Sequence, residues 1–240
     1  MIEPARSFER AAEEYEAARP SYPDDLLELL PVERSATVLD LGAGTGKLTR
    51  VLARRYAHVI AVEPLDGMRA ILERVVPGAE TLAGGAEAIP LPDASVDAVF
   101  AAQAFHWFAT DDAVAEIARV LRPGGVFADV WNETQDPTPL PREYRARLDE
   151  LFSGPRTGAE DDVREEVIRR GPFGEVHLDS VVHEQVQARD SVLEFMRSIS
   201  HVAKLPEAER EELMSELGSL LPEGEYRFQI RASARWAVRA

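Results

Sequence analysis

The 240-residue sequence contains no cysteine. Disulfides, thiolate metal sites and a cysteine nucleophile are thereby excluded. No run approaches the roughly 18 apolar residues of a membrane-spanning helix, and Met1-Ile2-Glu3-Pro4-Ala5-Arg6 lacks the apolar stretch of a secretory signal. A cytoplasmic location is expected. Positive charge is scarce: 27 Lys and Arg face 43 Asp and Glu, for a net charge of −16. Affinity for nucleic acid rests mainly on cations that neutralise phosphates, so a polyanionic partner is disfavoured and the acidity reads as solubility. There is no internal repeat and no low-complexity segment. Asp111-Asp112 and Asp161-Asp162 could suggest a metal, yet no histidine joins them at ligand spacing. Both pairs fall at expected helix starts, where carboxylates complement the dipole, and no metal is expected.

What is present centres on Thr37-Val38-Leu39-Asp40-Leu41-Gly42-Ala43-Gly44-Thr45-Gly46-Lys47-Leu48-Thr49. An apolar run reaches an acidic residue, breaks into glycines at every second position and passes into a helical pattern. This is a strand, a tight loop and a helix start, the layout of a nucleotide-type cofactor site in a doubly wound α/β fold. Glycine lets the backbone approach a ligand closely, and the helix N-terminus offers free N–H groups.

Three glycine-rich loops compete for this segment. The phosphate loop G-x-x-x-x-G-K-[ST] fails, because Leu41 stands at its first glycine and Leu48 at its hydroxyl position. The dinucleotide fingerprint G-x-G-x-x-G fails at Lys47 or Thr49, depending on where the count begins. G-x-G-x-G with Asp40 two residues before it fits.

The rest of the chain alternates helices and strands. Helices are expected over 7–18, 24–30 (capped by Asp24), 48–56, 66–75 and 111–121, separated by strands in a βαβ rhythm. Pro77-Gly78, Pro92-Asp93 and Pro123-Gly124-Gly125 read as turns. After Asn132 the rhythm changes: helices over 142–152, 161–170, 190–202 and 206–220 surround a strand over 176–187. Tyr226, Phe228, Ile230, Ala232, Ala234, Trp236 and Val238 alternate cleanly, a period of two that marks a long final strand.

The glycine loop resembles the first motif of the class I S-adenosylmethionine-dependent methyltransferases, and the resemblance continues in order. Val59-Ile60-Ala61-Val62-Glu63 resembles the second strand, 82–91 the loop that cups adenine, 96–108 the fourth strand with its active-site loop, and 119–127 the turn into the fifth strand. These matches span about 37–131. Tyr15, Arg19-Pro20-Ser21-Tyr22-Pro23 and Phe105-His106-Trp107-Phe108 resemble the small-molecule branch that includes trans-aconitate methyltransferase-like and UbiE-like proteins. No Asn-Pro-Pro-Tyr-type loop of base-methylating enzymes follows the fourth strand.

The resemblance implies a Rossmann-like, doubly wound, seven-stranded sheet, mostly parallel with its last strand antiparallel, in a single domain over 1–240. Residues 1–36 would form an N-terminal flap, 37–131 the cofactor core, 132–222 lid helices with a sixth strand, and 223–240 the final strand. The helical inserts 142–170 and 190–220 would cover the open end of the sheet. The implied cofactor is S-adenosyl-L-methionine, leaving as S-adenosyl-L-homocysteine, and the implied partner a small-molecule substrate, with the chain a monomer or homodimer.

Asp40, Gly42, Ala43, Gly44 and Gly46 would hold the methionine end, with Asp40 also bracing the glycine turn and Arg19 pairing a carboxylate. Glu63 would accept both ribose hydroxyls, beside Pro64. Many relatives carry Asp where Gly85 stands, so Glu87 or the backbone at Ala86 would take the adenine amino group. Gln103 would border the transfer site. Tyr15, Tyr22, Phe105, His106, Trp107 and His201 would line the substrate pocket. His106 is the candidate base, because an imidazole suits proton uptake near neutrality. Rival readings on the same scaffold are a non-methylating enzyme that uses the sulfonium electrostatically and a cofactor-binding protein without turnover.

Overall fold

The computed structural model describes residues 21–152 and 159–240. The elements are α1 (Asp24–Glu28), β1 (Thr37–Leu41), α2 (Lys47–Arg55), β2 (His58–Val62), α3 (Asp66–Val75), β3 (Glu80–Leu82), β4 (Val96–Ala102), α4 (Asp111–Val120) and β5 (Leu121–Thr134). They continue with α5 (Arg142–Leu151), α6 (Ala159–Arg170), β6 (His177–Ala188), α7 (Arg189–Arg197), α8 (Ser200–Ala203), α9 (Glu207–Leu220) and β7 (Glu225–Val238). A 3-10 turn spans Phe105–Trp107.

The seven strands are ordered β3-β2-β1-β4-β5-β7-β6. The pairs β1 with β2, β1 with β4, β2 with β3 and β4 with β5 are parallel. β7 runs against β5: Arg239 N–H donates to Gly125 O, and Gln135 N–H donates to Gln229 O. The expected mixed, doubly wound sheet is therefore present. Its order reverses on either side of β1, and such a switch point opens a crevice at the strand C-termini.

Alternation along the strands builds two apolar layers, because neighbouring side chains leave opposite faces. Val38, Ala98, Phe100, Val126, Ala128 and Val130 meet Leu26, Leu27, Leu48, Val51 and Leu52 on one face. Leu39, Leu41, Val99, Ala101 and Phe127 meet Val114, Ile117, Val167 and Ile168 on the other.

Among the described residues, the chain divides into one compact unit of 21–132, 159–181 and 232–240 and another of 133–152 and 182–231. The smaller unit has its own core, with Tyr144, Met196, Leu213, Leu217, Phe228 and Ile230. This division corrects the expected insert over 142–170. Its second half, α6, belongs to the larger unit, because Val167 and Ile168 complete that unit's second apolar layer.

Local differences from the expected elements have simple causes. Asp24 is the first helical residue rather than the cap, which is Pro23, and its carboxylate accepts from Arg54 at 3.0 Å. Pro123-Gly124-Gly125 does not end an element but forms an excursion within β5. Between the pairs Val96–Leu121 and Ala98–Val126, β4 advances two residues while β5 advances five, and proline in a strand is at home at such irregularities. The expected helix over 190–202 is two helices, α7 and α8, separated after Arg197. The alternation continues to the end of β7: Ala232, Ala234, Trp236 and Val238 pack on the first layer, and Ala237 is buried in the second.

Candidate active site

Two carboxylates stand at the C-terminal ends of neighbouring strands. Asp40 is the fourth residue of β1 and Glu63 follows β2 directly. Both are at least 95 % enclosed, at 1 % and 5 % exposure. Asp40 Oδ2 accepts from Thr49 Oγ1 at 2.6 Å, and its Oδ1 has no partner among the described residues. Burial pushes this carboxyl up to about 7; the Thr49 hydroxyl opposes the rise and the charge of Glu63 adds to it. Glu63 is raised too, mainly by burial, against the N–H groups of Leu65 and Gly44.

Glu63 shapes the glycine loop. Gly44 N–H donates to its Oε2 at 2.8 Å and Leu65 N–H to its Oε1 at 2.9 Å. The expected bracing of the glycine turn by Asp40 is thus made by Glu63, while Asp40 ties β1 to α2 through Thr49. At Gly44, with φ of +57°, an added Cβ would meet nothing within 4 Å among the described residues. Glycine fits that backbone angle, and the side facing this space is open for a ligand. Thr45 Oγ1 is a second buried polar atom of the loop without a partner among the described residues. Ala43 is buried, Gly42 N–H donates to Val62 O at 2.8 Å, and Gly46 caps the start of α2. Pro64 is half-buried.

Past β3, Ala86 is buried and Glu87 is exposed. Beyond β4, Gln103 adopts a φ of +52° and its Nε2 donates to Asn132 O at 2.8 Å. The 3-10 turn then separates three consecutive rings, because residues in such a turn point about 120° apart. Phe105 is wholly buried and meets Phe127 edge-on, with centroids 5.1 Å apart. It packs in the core instead of lining an open pocket. His106 and Trp107 are half-buried with ring centroids 4.6 Å apart.

Sequence reasoning missed Trp131 and its backing. The Trp131 ring meets His106 edge-on at 5.2 Å, and the guanidinium of Arg164 lies over it at 4.6 Å. Arg164 in turn donates to Asp129 at 2.6 Å, and Arg235 donates to the same oxygen at 3.3 Å. Asp129 and Trp131 are two apart on β5 and share a face, which is the sequence signal that could have found them.

The remaining expected residues lie elsewhere. Tyr22 is buried and packs in the first apolar layer with Leu26 and Leu27. His201 is an exposed residue of the smaller unit, where its ring meets Phe152 at 6.3 Å. Tyr15 and Arg19 lie outside the described residues. Asp111 and Asp112 occupy the first turn of α4, capped by Thr110, and Asp111 accepts from Arg170 at 2.9 Å.

A methyltransferase-domain profile matches residues 39–128. An uncharacterized methyltransferase of Mycobacterium tuberculosis is 39% identical over 215 residues, covering 90% of this chain and 85% of its own length. A malonyl-[acyl-carrier protein] O-methyltransferase of Geobacter sulfurreducens is 32% identical over 217 residues, covering 82% of this chain and 78% of its own. A solved structure from Anaeromyxobacter dehalogenans, provisionally named a type II methyltransferase, superposes with a TM-score of 0.69 at 30% identity, covering 92% of this chain and 97% of that one.

Proposed function

The chain belongs to the class I S-adenosylmethionine-dependent methyltransferases, and we propose that it methylates oxygen, nitrogen or carbon of a small-molecule metabolite by direct displacement. The observation that carries this reading is the pair of buried carboxylates flanking the glycine loop. Each Glu63 oxygen accepts one backbone N–H and keeps a lone pair, enough for two ribose hydroxyls. Asp40 Oδ1 is the acceptor left for an ammonium group. The open side of Gly44 gives room for the chain between them.

When bound, the cofactor supplies a methyl group already activated on cationic sulfur. The protein then has to align the acceptor and exclude water. His106, Trp107 and Trp131 offer ring surfaces for that task, and His106 is the base that takes the proton from an oxygen or nitrogen acceptor. Gln103 borders this region from the end of β4. Ala86 and Glu87 flank adenine. The name of the Geobacter relative makes a carboxylic acid oxygen the first acceptor to screen.

Calorimetric titration with S-adenosylmethionine, S-adenosylhomocysteine and NADH tests the reading. Binding of the adenosyl ligands near micromolar Kd (about −8 kcal/mol), weakened about tenfold or more by Glu63→Ala, is the expected result. Well-folded protein that binds neither adenosyl ligand would sink it.

A further inference from the structure

The loop between β3 and β4 is tied to α4 by one arginine. Arg119 Nε donates to Glu116 Oε1 at 2.7 Å, and Nη2 donates to Glu116 Oε2 at 2.8 Å and to Ile89 O at 2.9 Å. Its Nη1 donates to Leu91 O and to Asp93 Oδ1, both at 2.8 Å. A guanidinium has five N–H groups, and every one is used here. Glu116 completes the tie, accepting from Ile89 N–H at 2.9 Å. Ile89 is therefore held through both its N–H and its carbonyl by two side chains of α4 that are also paired with each other.

The loop held in this way is short and tightly folded. Gly85 and Ala88 form an isolated antiparallel bridge. A Cβ at Gly84 would lie 2.7 Å from Pro90 Cδ, so only glycine lets the two ends of the loop approach this closely. Ala86 and Ile89 are buried in the second apolar layer, and Glu87 stands exposed between them.

We propose that Arg119 and Glu116 are positioning residues for the adenine end of the cofactor, and that their grip on the 84–91 loop sets how strictly adenine is told from other purines. This rests on the cofactor reading above. The argument is geometric. Recognition of the adenine edge needs donor and acceptor groups of the loop held within the narrow distance range of a hydrogen bond. A loop without side-chain anchors would have to be ordered by the ligand itself, at a cost in affinity and discrimination. Arg119 acts through the loop, since all its donors go to the loop and its own helix. Lysine, with three donors on one nitrogen and no planar fork, can replace only part of this set.

The test compares two ligands by calorimetry: S-adenosylhomocysteine and S-inosylhomocysteine, which differ at the purine 6-position. Wild type should favour the adenine ligand clearly. Arg119→Ala should weaken it about tenfold and bring the two ligands to near equality, with Arg119→Lys and Glu116→Gln between. A merely structural role would lower the thermal midpoint but leave the ligand ratio unchanged, and an unchanged ratio in folded Arg119→Lys and Glu116→Gln would overturn the proposal. Wild type that binds both ligands equally would overturn it as well. Wild type that binds neither would sink the cofactor reading, and the positioning role with it.

Discussion

The two sides of the β1–β4 switch point handle buried charge in opposite ways. On the β1–β2 side, Asp40 and Glu63 are buried acids; among the described residues no cation is bonded to either carboxylate, and one oxygen of Asp40 has no partner. On the β4–β5 side, Asp129 is as deeply buried but is paired with Arg164, itself buried, and with Arg235. One side neutralises its buried acid with its own arginines; the other holds two acids in reserve, with no cation of the described residues on either carboxylate. A site for a cationic cofactor is expected to look like the second, and a scaffold for aligning an acceptor like the first.

Removing a cation from the paired side should have the largest effect. Arg164→Met removes the closer of the two arginines bonded to buried Asp129, and should cost about 3 kcal/mol in urea unfolding. The double variant Asp129→Leu/Arg164→Met should recover most of that loss. A single variant as stable as wild type would erase the distinction between the two sides.

The reserve side predicts pH effects. Folded Asp40 keeps its proton up to about 7, whereas its ordinary value is 3.8. Between these values the folded state binds more protons than the unfolded one. Stability without ligand should therefore fall as pH rises from about 4 to about 7, with Glu63, also raised, acting in the same direction. An ammonium ligand prefers the ionised carboxylate, so affinity for S-adenosylhomocysteine should rise over the upper part of that window. Asp40→Asn should reduce both slopes, as thermal melts and titrations across pH would register. Slopes identical to wild type would mean that Asp40 ionises normally.

The smallest effect sharpens the same contrast. Thr49→Val removes the hydroxyl that donates to Asp40 and should cost about 1 kcal/mol. It should also move the inflection of the affinity–pH curve upward, because that hydrogen bond favours the charged form. A downward move would assign the hydroxyl a different role.

The parts of this arrangement that are local in sequence were legible. The strand Thr37–Leu41, the glycine loop and the helix Asp66–Val75 follow from period and spacing, and Asp40 and Glu63 stand where the motif puts them. The ion pair was not legible, because Asp129 and Arg164 are 35 residues apart and meet only when α6 packs on the sheet. Aromatic composition pointed to the 105–108 loop but could not say which ring faces inward; the 3-10 turn decides that Phe105 does. The tie between Arg119 and the 84–91 loop was hidden for the same reason as the ion pair, since its partners lie up to 30 residues away.

Gln103 takes a φ of +52°, an angle that costs a residue with a Cβ about 1–2 kcal/mol and glycine almost nothing. A laboratory selection for heat resistance alone would therefore drift toward glycine at this position. A selection for turnover would keep the amide wherever its reach to Asn132 helps the end of β4 hold its shape. Running both selections on one library, and reading only position 103, would reveal whether the chain accepts that strain for the sake of its chemistry.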